Sequence, residues 1–538
     1  MVEQKKVEEI LKRVEKMKSD RATWESHWEE VTEYVAPRYG GITGVKTKGG
    51  KRMETVFDCT AIDANDIFAA GMYGHLCNGR WLLLKDRNPD SQDSWWFGEA
   101  GRVLLEELAL SNFGQMIHNY FKKLGSIGTA CLFLEKGEPG KPGLNFREFD
   151  ISNYYIKENS KGLVDTLYRK FTYTPRQAMQ EWPDIDLGPS IRKAFESKKE
   201  DPFDFIHAVF PREERDDSKV DKENMMYASI YLAVKDKKII EESGYPQLPF
   251  MVTRIDKESN EVYGRSIGMK KLPEIKLLNK MVKTVLKAAE KVVDPPLQVP
   301  DDGFISPFKT TPGGLMYYKG GSQDRIEPLN TDANIGLGLE MEDKRRETIN
   351  RAFYVDLFLL LAEKKNMTAT EVLERVEEKL LLLGPMLGRL QSELFNPLVD
   401  RALGILMMSG KLPPVPEGIE EYEIEYLGKL AIAMRLIEVK AMRDTIGYVA
   451  PFMEVNPAVM DNFDDDKITR GISERMGIPS DWLRKIDDVK GIREGRAQQQ
   501  QQQQALAMAG EAAKAAPGLS GKVEDSSVLA QMLGAGNA

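Results

Sequence analysis

The chain has 538 residues, 42% hydrophobic and 30% charged, with a formal net charge of −9. That length supports several domains and a sizeable core, and the acidic balance excludes a chain that clamps nucleic acid by uniform positive charge. Three cysteines (Cys59, Cys77, Cys131) and four scattered histidines (His27, His75, His118, His207) offer neither a disulfide framework nor zinc-ligand spacing.

The longest apolar stretch, residues 353–362, is interrupted by Asp356 and falls far short of the roughly 18 to 20 residues that cross a bilayer. The first 19 residues are too charged for a secretory signal. A cytosolic or assembly protein without a membrane contact is expected.

Residues 2–35 read as two charged amphipathic helices broken near Ser19 and Asp20, with Ile10, Leu11, Val14 and Met17 on one face of the first. Residues 37–51 form a Gly-rich, basic loop, 61–76 are helical, and 80–85 have a short strand pattern. From about residue 130 to 255 the segments 144–149, 163–173, 205–210, 226–234 and 249–255 alternate, or are rich in β-branched and aromatic residues, between turn-like clusters. That pattern predicts a β-rich domain with a few helices.

Residues 268–292 return to helical periodicity. Lys276, Lys280, Lys283, Lys287 and Lys291 recur at steps of four, three, four and four, which places them within roughly an 80° sector. Leu278, Met281, Val282, Val285, Ala289 and Val292 occupy the other side. The cationic row is either a solvated face or a stripe that meets phosphates or a partner's carboxylates. Asp294-Pro295-Pro296 stops the helix, because proline lacks an N–H and disfavours helical geometry in the residue before it. Prolines and glycines then crowd residues 297–330 into a turn-rich excursion, and a second helix follows over 335–352. Its Glu340, Asp343, Lys344, Arg345, Arg346 and Glu347 are mixed in sign and define no face.

The apolar run from residue 353 ends in Glu363-Lys364-Lys365-Asn366. A run of this kind is core, or a loop presented to a channel. Directly after it, Thr368 and Glu371 have capping-box spacing, and Met367 and Val372 stand where a hydrophobic staple would close. Val372, Val376, Leu380, Leu383, Leu387, Leu390, Leu394 and Leu398 continue one stripe through a helix of residues 367–408, a rod of roughly 60 Å. Pro385 and Pro397 each remove a backbone hydrogen bond, so kinks are expected near Gly384 and Asn396. Residues 426–449 and 465–476 read as shorter helices, and the Gln- and Ala-rich tail beyond 491 as largely disordered.

Sequence signatures of catalysis are missing. The chain has no Gly-x-x-x-x-Gly-Lys-Ser/Thr loop, no Gly-x-Gly-x-x-Gly after a strand, no His-Glu-x-x-His and no Gly-x-Ser-x-Gly. A non-enzymatic protein with no cofactor and no metal is expected, although carboxylates that pair only in space stay open.

The order of parts resembles the portal, or head-to-tail connecting, proteins of short-tailed bacteriophages. NMTATEVLERVEEKLLLLGPMLGRLQSELFNPLVDRAL at 366–403 carries the resemblance, supported by EVYGRSIGMKKLPEIKLLNKMVKTVLKAAEKVVDPPL at 261–297 and GLVDTLYRKFTYTPRQAMQ at 162–180. Similarity extends from near the first residues to about Arg484. It implies an α+β portal-type fold with a β-rich wing (1–265), a stem helix (266–293), a small clip (294–334), a second stem helix (335–352) and a tunnel loop (353–366). A long kinked helix (367–410), crown helices (411–490) and the tail (491–538) complete it.

The implied function is a ring, typically of twelve subunits, at one capsid vertex through which double-stranded DNA is packaged and ejected. Implied partners are other copies of the chain, the DNA, a separate terminase packaging motor, tail adaptors, and capsid and scaffolding proteins. The implied location is the virion, with assembly in the host cytoplasm. Phe353, Tyr354, Asp356, Leu357, Phe358 and Asn366 would belong to the tunnel loop.

A conduit must hold DNA without gripping it, since each lysine that neutralises a phosphate adds affinity. A net-acidic subunit with a few placed cations suits that task. Lys364 and Lys365 are the first candidates for lumenal phosphate contacts, and the Lys276–Lys291 row the second. The competing readings are another structural ring or head-tail adaptor of the virion, and an enzyme acting on nucleic acid.

Overall fold

The computed structural model describes all residues except 1, 45–48, 87–93, 139, 217, 220, 299–326, 329–334, 363–382, 417–421, 428–438, 440, 453–455, 476–483, 485 and 515–538. Two compact units are present, Met1–Glu438 and Val439–Ala538.

The first unit opens with α1 (Val2–Val35), one continuous helix of 34 residues. The expected break at Ser19 and Asp20 does not occur. Val7, Ile10, Val14, Arg21, Trp28, Val31 and Val35 are all buried at three-, four- and seven-residue steps, so the inward stripe runs through that point with Arg21 holding a core position. Arg21 can be buried there because its guanidinium donates to the Ile151 carbonyl at 2.8 Å, pairs with Glu25 at 2.6 Å and lies 4.1 Å from the Tyr155 ring centroid.

α2 (Thr60–Leu76), β1 (Leu82–Asp86), α3 (Ser94–Leu110) and α4 (Phe113–Ser126) follow. Ile117, Tyr120, Phe121 and Leu124 turn the apolar side of α4 into the main core. The β region contains β2 (Thr129–Lys136), β3 (Leu144–Phe149), β4 (Tyr154–Glu158), β5 (Val164–Tyr173), β6 (Phe203–Pro211), β7 (Tyr227–Ala233), β8 (Lys238–Tyr245) and β9 (Phe250–Arg254). Two short helices, α5 (Pro175–Glu181) and α6 (Pro189–Glu196), separate β5 from β6. All pairings are antiparallel: β3-β2-β9 form one sheet and β4-β5-β6-β7-β8 a second. β2 is buried along six of its eight residues, so it lacks the polar-apolar alternation that marked its neighbours.

Two long helices pair next, α7 (Ile267–Val293) and α8 (Ile335–Ala352). Between them the described residues include a minimal two-residue ladder, β10 (Leu297–Gln298) with β11 (Glu327–Pro328). After α8 the apolar run is not a loop over its described length. It forms α9 (Val355–Ala362), with Val355, Leu357 and Phe358 buried in the same core as α2. Gly71 makes the seat: a Cβ there would stand 2.3 Å from the Phe358 ring. Phe358 stacks on His75 at 5.7 Å and meets Phe68 edge-on at 6.3 Å.

The long helix is described from residue 383 to 408; its expected capping box at Thr368 and Glu371 lies outside the described residues. Leu383, Leu387, Leu390, Leu394 and Leu398 are buried as one stripe. The irregularity expected near Asn396 takes the form of a π turn at Gln391–Phe395, with the Asn396 N–H bonded to the Gln391 carbonyl. The wider turn lies just before Pro397, which has no N–H to continue the regular ladder. Glu393 in that turn accepts both the backbone N–H of Arg254 at 2.8 Å and its guanidinium at 2.6 Å, while Glu158 closes the other side of the same buried arginine. The long helix is thereby ionically tied to β9 and β4.

Residues 422–426 do not continue a set of crown helices. They are β12 (Tyr422–Tyr426), which pairs with β1 from Leu82↔Tyr426 to Asp86↔Tyr422. Trp81 draws this return together, with ring centroids 5.2 Å from Phe395, 6.2 Å from Phe113 and 6.4 Å from Tyr426. The helix expected from Tyr426 thus does not begin at that residue, and the described helical stretch there covers residues 441–452.

The second unit contains that stretch and helices Asp465–Arg475 and Ile486–Lys514. Arg493 pairs with Asp466 through two bonds of 2.6 and 2.7 Å. The glutamine run, expected to be largely disordered or a weak helix ordered only by neighbours, lies inside the last helix, and its residues are exposed. Gln and Ala are good helix formers, so the backbone holds helical geometry there without burying a face. Among the described residues no helix is long and apolar enough to cross a membrane.

Candidate functional site

The α7–α8 hairpin is built from its first residue. Ser266 is buried; its Oγ accepts the Met269 N–H at 2.8 Å and donates to the Ser126 carbonyl at 2.7 Å, which fixes the start of α7 on the end of α4. Arg345 of α8 reaches Glu274 of α7 at 2.6 Å, and a Cβ on Gly338 would stand 2.8 Å from Val285. Residue 345 opposite 274 and 338 opposite 285 make the helices antiparallel, with glycine allowing their close approach.

The base of the hairpin is bolted to the first unit. Leu272, Ile275, Leu278 and Ile349 are buried. Asn279 accepts the N–H groups of Phe57 and Asp58 at 2.6 and 3.3 Å and donates to the Thr55 carbonyl at 2.9 Å. Arg346 bonds Asp58 at 3.0 Å, Glu342 at 3.1 Å and Asp343 at 2.9 Å. Glu342, only 2% exposed, is buried beside this guanidinium. The clamps of Asn279 and of Arg346 to Asp58 were not legible in advance, since each joins residues more than two hundred positions apart.

The lysine row divides along its length. Lys276 is half-buried and ion-paired with Glu30 of α1. Lys283 stands 4.9 Å from the Phe57 ring centroid. Lys280, Lys287 and Lys291 are exposed and, among the described residues, form no ion pair. Near them the hairpin exposes Leu286, Val293, Leu337, Leu339 and Met341, Val293 to 85%. Coulombic repulsion among a few such cations is small in water, and all remain available to an anion.

Of the other candidates, Phe353, Leu357 and Phe358 lie inside the core, Tyr354 is half-buried and Asp356 is exposed. Tyr354 adopts φ 58°, a left-handed conformation that turns the chain sharply from α8 into α9. Burial raises its phenol above the ordinary range, against a smaller opposing effect of Lys270. At the hairpin base, His27 is held below its ordinary range, first by burial and then by Arg265. Lys364, Lys365 and Asn366 lie outside the described residues. Among the described residues no three His, Cys, Asp or Glu side chains gather as metal ligands.

An α+β body with a helical hairpin and a long helix broken by a π turn fits one class. The chain belongs to the bacteriophage head to tail connecting proteins, whose family model matches residues 7–483. It is 30% identical over 543 residues to the probable portal protein of Bordetella phage BPP-1, covering 98% of this chain and 97% of that one. It is also 30% identical over 531 residues to the portal protein of Salmonella phage epsilon15, covering 95% of each. A solved chain from the virion of a native gene transfer agent particle shares 13% identity, with a TM-score of 0.39 over 84% of this chain and 99% of its own length. The function is that of a portal protein.

Proposed function

We propose that copies of this chain close into a ring, expected to have twelve subunits, whose axial channel passes double-stranded DNA during packaging and ejection. Residues 1–265 would form the wing, α7 and α8 the stem, 294–334 the clip, and 353–366, with α9 as its root, the segment beside the channel. The clip would dock the terminase motor during packaging and tail adaptors afterwards, while capsid and scaffolding proteins would surround the wing in the host cytoplasm.

The observation that carries this reading is the unevenly covered hairpin. Its base is buried in its own chain, whereas its far part exposes several large apolar side chains together with Lys280, Lys287 and Lys291. Apolar surface left open on a helical pair favours a neighbour, and a repeated ring supplies one on each side. Lysines spread over about 16 Å of helix offer phosphate contacts at several levels without a continuous grip. Lys276, engaged by Glu30, contributes least to that surface.

Negative-stain images of the purified protein should show rings with an axial hole; a uniformly monomeric particle at assembly concentrations would overturn the reading. In the same rings, replacing Lys364 and Lys365 with alanine should impair DNA packaging or retention while leaving ring formation intact.

A further inference from the structure

Away from the hairpin, basic side chains from five parts of the chain converge on a cavity of about 750 Å3. Arg38 and Arg52 come from the segments after α1, Lys123 from α4, Arg147 from β3 and Arg169 from β5. The acids at the same site are already engaged: Lys123, 3% exposed, stands 2.5 Å from Glu148 and 3.4 Å from Asp150, and also donates to the Phe149 carbonyl at 2.9 Å. Arg147 turns to Glu135 at 2.8 Å. Arg38 and Arg169 form no ion pair among the described residues.

Arg169 lies 4.0 Å from the Phe149 ring centroid and 4.6 Å from that of Phe171, so aromatic faces replace much of its hydration. That burial pushes its guanidinium below the ordinary arginine range. Tyr39 also lines the cavity; it is nine-tenths buried, and its hydroxyl has no hydrogen-bond partner. A desolvated cation lining the cavity and an unpartnered hydroxyl buried beside it are each costly until an acceptor arrives.

We infer that this cavity binds a phosphate-class oxyanion, held between the Arg38 and Arg169 guanidiniums with the Tyr39 hydroxyl donating to it. A planar carboxylate suits one guanidinium fork, whereas a tetrahedral oxyanion presents oxygens in several directions to donors arriving from separate elements. The cavity exceeds the size of the ion alone and lies in the range of small-molecule sites, so the phosphate is either free or carried by a small phosphomonoester.

Isothermal titration of the full chain tests this with inorganic phosphate, acetate and chloride at equal ionic strength, and with a nucleoside monophosphate. The expected result is saturable phosphate binding that Arg38→Ala and Arg169→Gln each weaken about tenfold or more, and Tyr39→Phe a few-fold. Lys219→Ala, at an exposed lysine paired with Asp216, should leave it unchanged. Arg38 is exposed, so its variant keeps the test informative if Arg169→Gln fails to fold. Tighter binding of the nucleoside monophosphate would assign the phosphate to a small-molecule bearer, and equal or weaker binding to the free ion. Acetate binding as strong as phosphate, absence of saturable binding, or an unchanged Arg38→Ala variant would overturn the inference.

Discussion

The two ends of the α7–α8 hairpin are built from the same kind of sequence and live in opposite environments. At the base, the Asn279 amide, the Arg346 cluster and Leu278 and Ile349 lock the helices to α1, α2 and the loop before Thr60. Farther out the same helical spacing leaves Leu286 49% exposed and Val293 85% exposed beside lysines that form no ion pair among the described residues. Amphipathic periodicity declares that a face wants cover but not whose chain will cover it. In this protein the base is covered from within, and the far part is left exposed.

The sharpest way to break that contrast is Arg346→Ala. Removing this guanidinium strands Glu342 in the core and leaves Asp58 without its partner, a loss of about 3 kcal/mol or more in urea unfolding of the subunit. A change within experimental error would mean that the base is not held by this cluster.

Acid should act on a third region, the five-stranded sheet, with a smaller effect. His207 is fully buried, accepts or shares a proton with Ser229 Oγ at 3.0 Å and stacks on Tyr231 at 4.0 Å; burial, then Arg169, lowers its pKa to about 3. Because the folded value lies below the ordinary 6.5, the unfolded chain takes up the proton first. Stability from this group is complete above about pH 6.5 and falls as pH drops toward 3, by a few kcal/mol over the whole window. His207→Gln should flatten that part of the curve while leaving the hairpin's response to Arg346→Ala unchanged.

The smallest stability effect belongs to the exposed part. Lys287→Ala with Lys291→Ala should shift subunit unfolding by less than about 0.5 kcal/mol, yet change the salt dependence of DNA passage through assembled rings. A large loss of subunit stability would erase the distinction between the two ends.

Much of the architecture was legible because local patterns carried it. The turn clusters around residues 144–254 isolated five of the β strands, and Asp294-Pro295-Pro296 marked the end of α7. What escaped had tertiary causes. β2 is buried on both faces and lost its alternation, and α1 appeared interrupted because Arg21 occupies an inward position that only the Ile151 carbonyl and Glu25 make tolerable. Tyr426, the last residue of β12, read as the start of a helix because its strand identity comes from pairing with β1, more than three hundred residues away. The phosphate-class cavity had no sequence signal, since its cations are separated in the chain and none has a motif around it.

By itself the sequence determined where α7 stops, the spacing of the lysine row and the presence of a proline at residue 397, because periodicity and proline geometry are local properties. Only the tertiary structure decided that Lys276 turns to Glu30, that Phe358 fits the space left by Gly71, and that Glu393 meets Arg254 from the π turn. These depend on long-range approach, and the free energy of a charge or a ring is set by what the fold places against it.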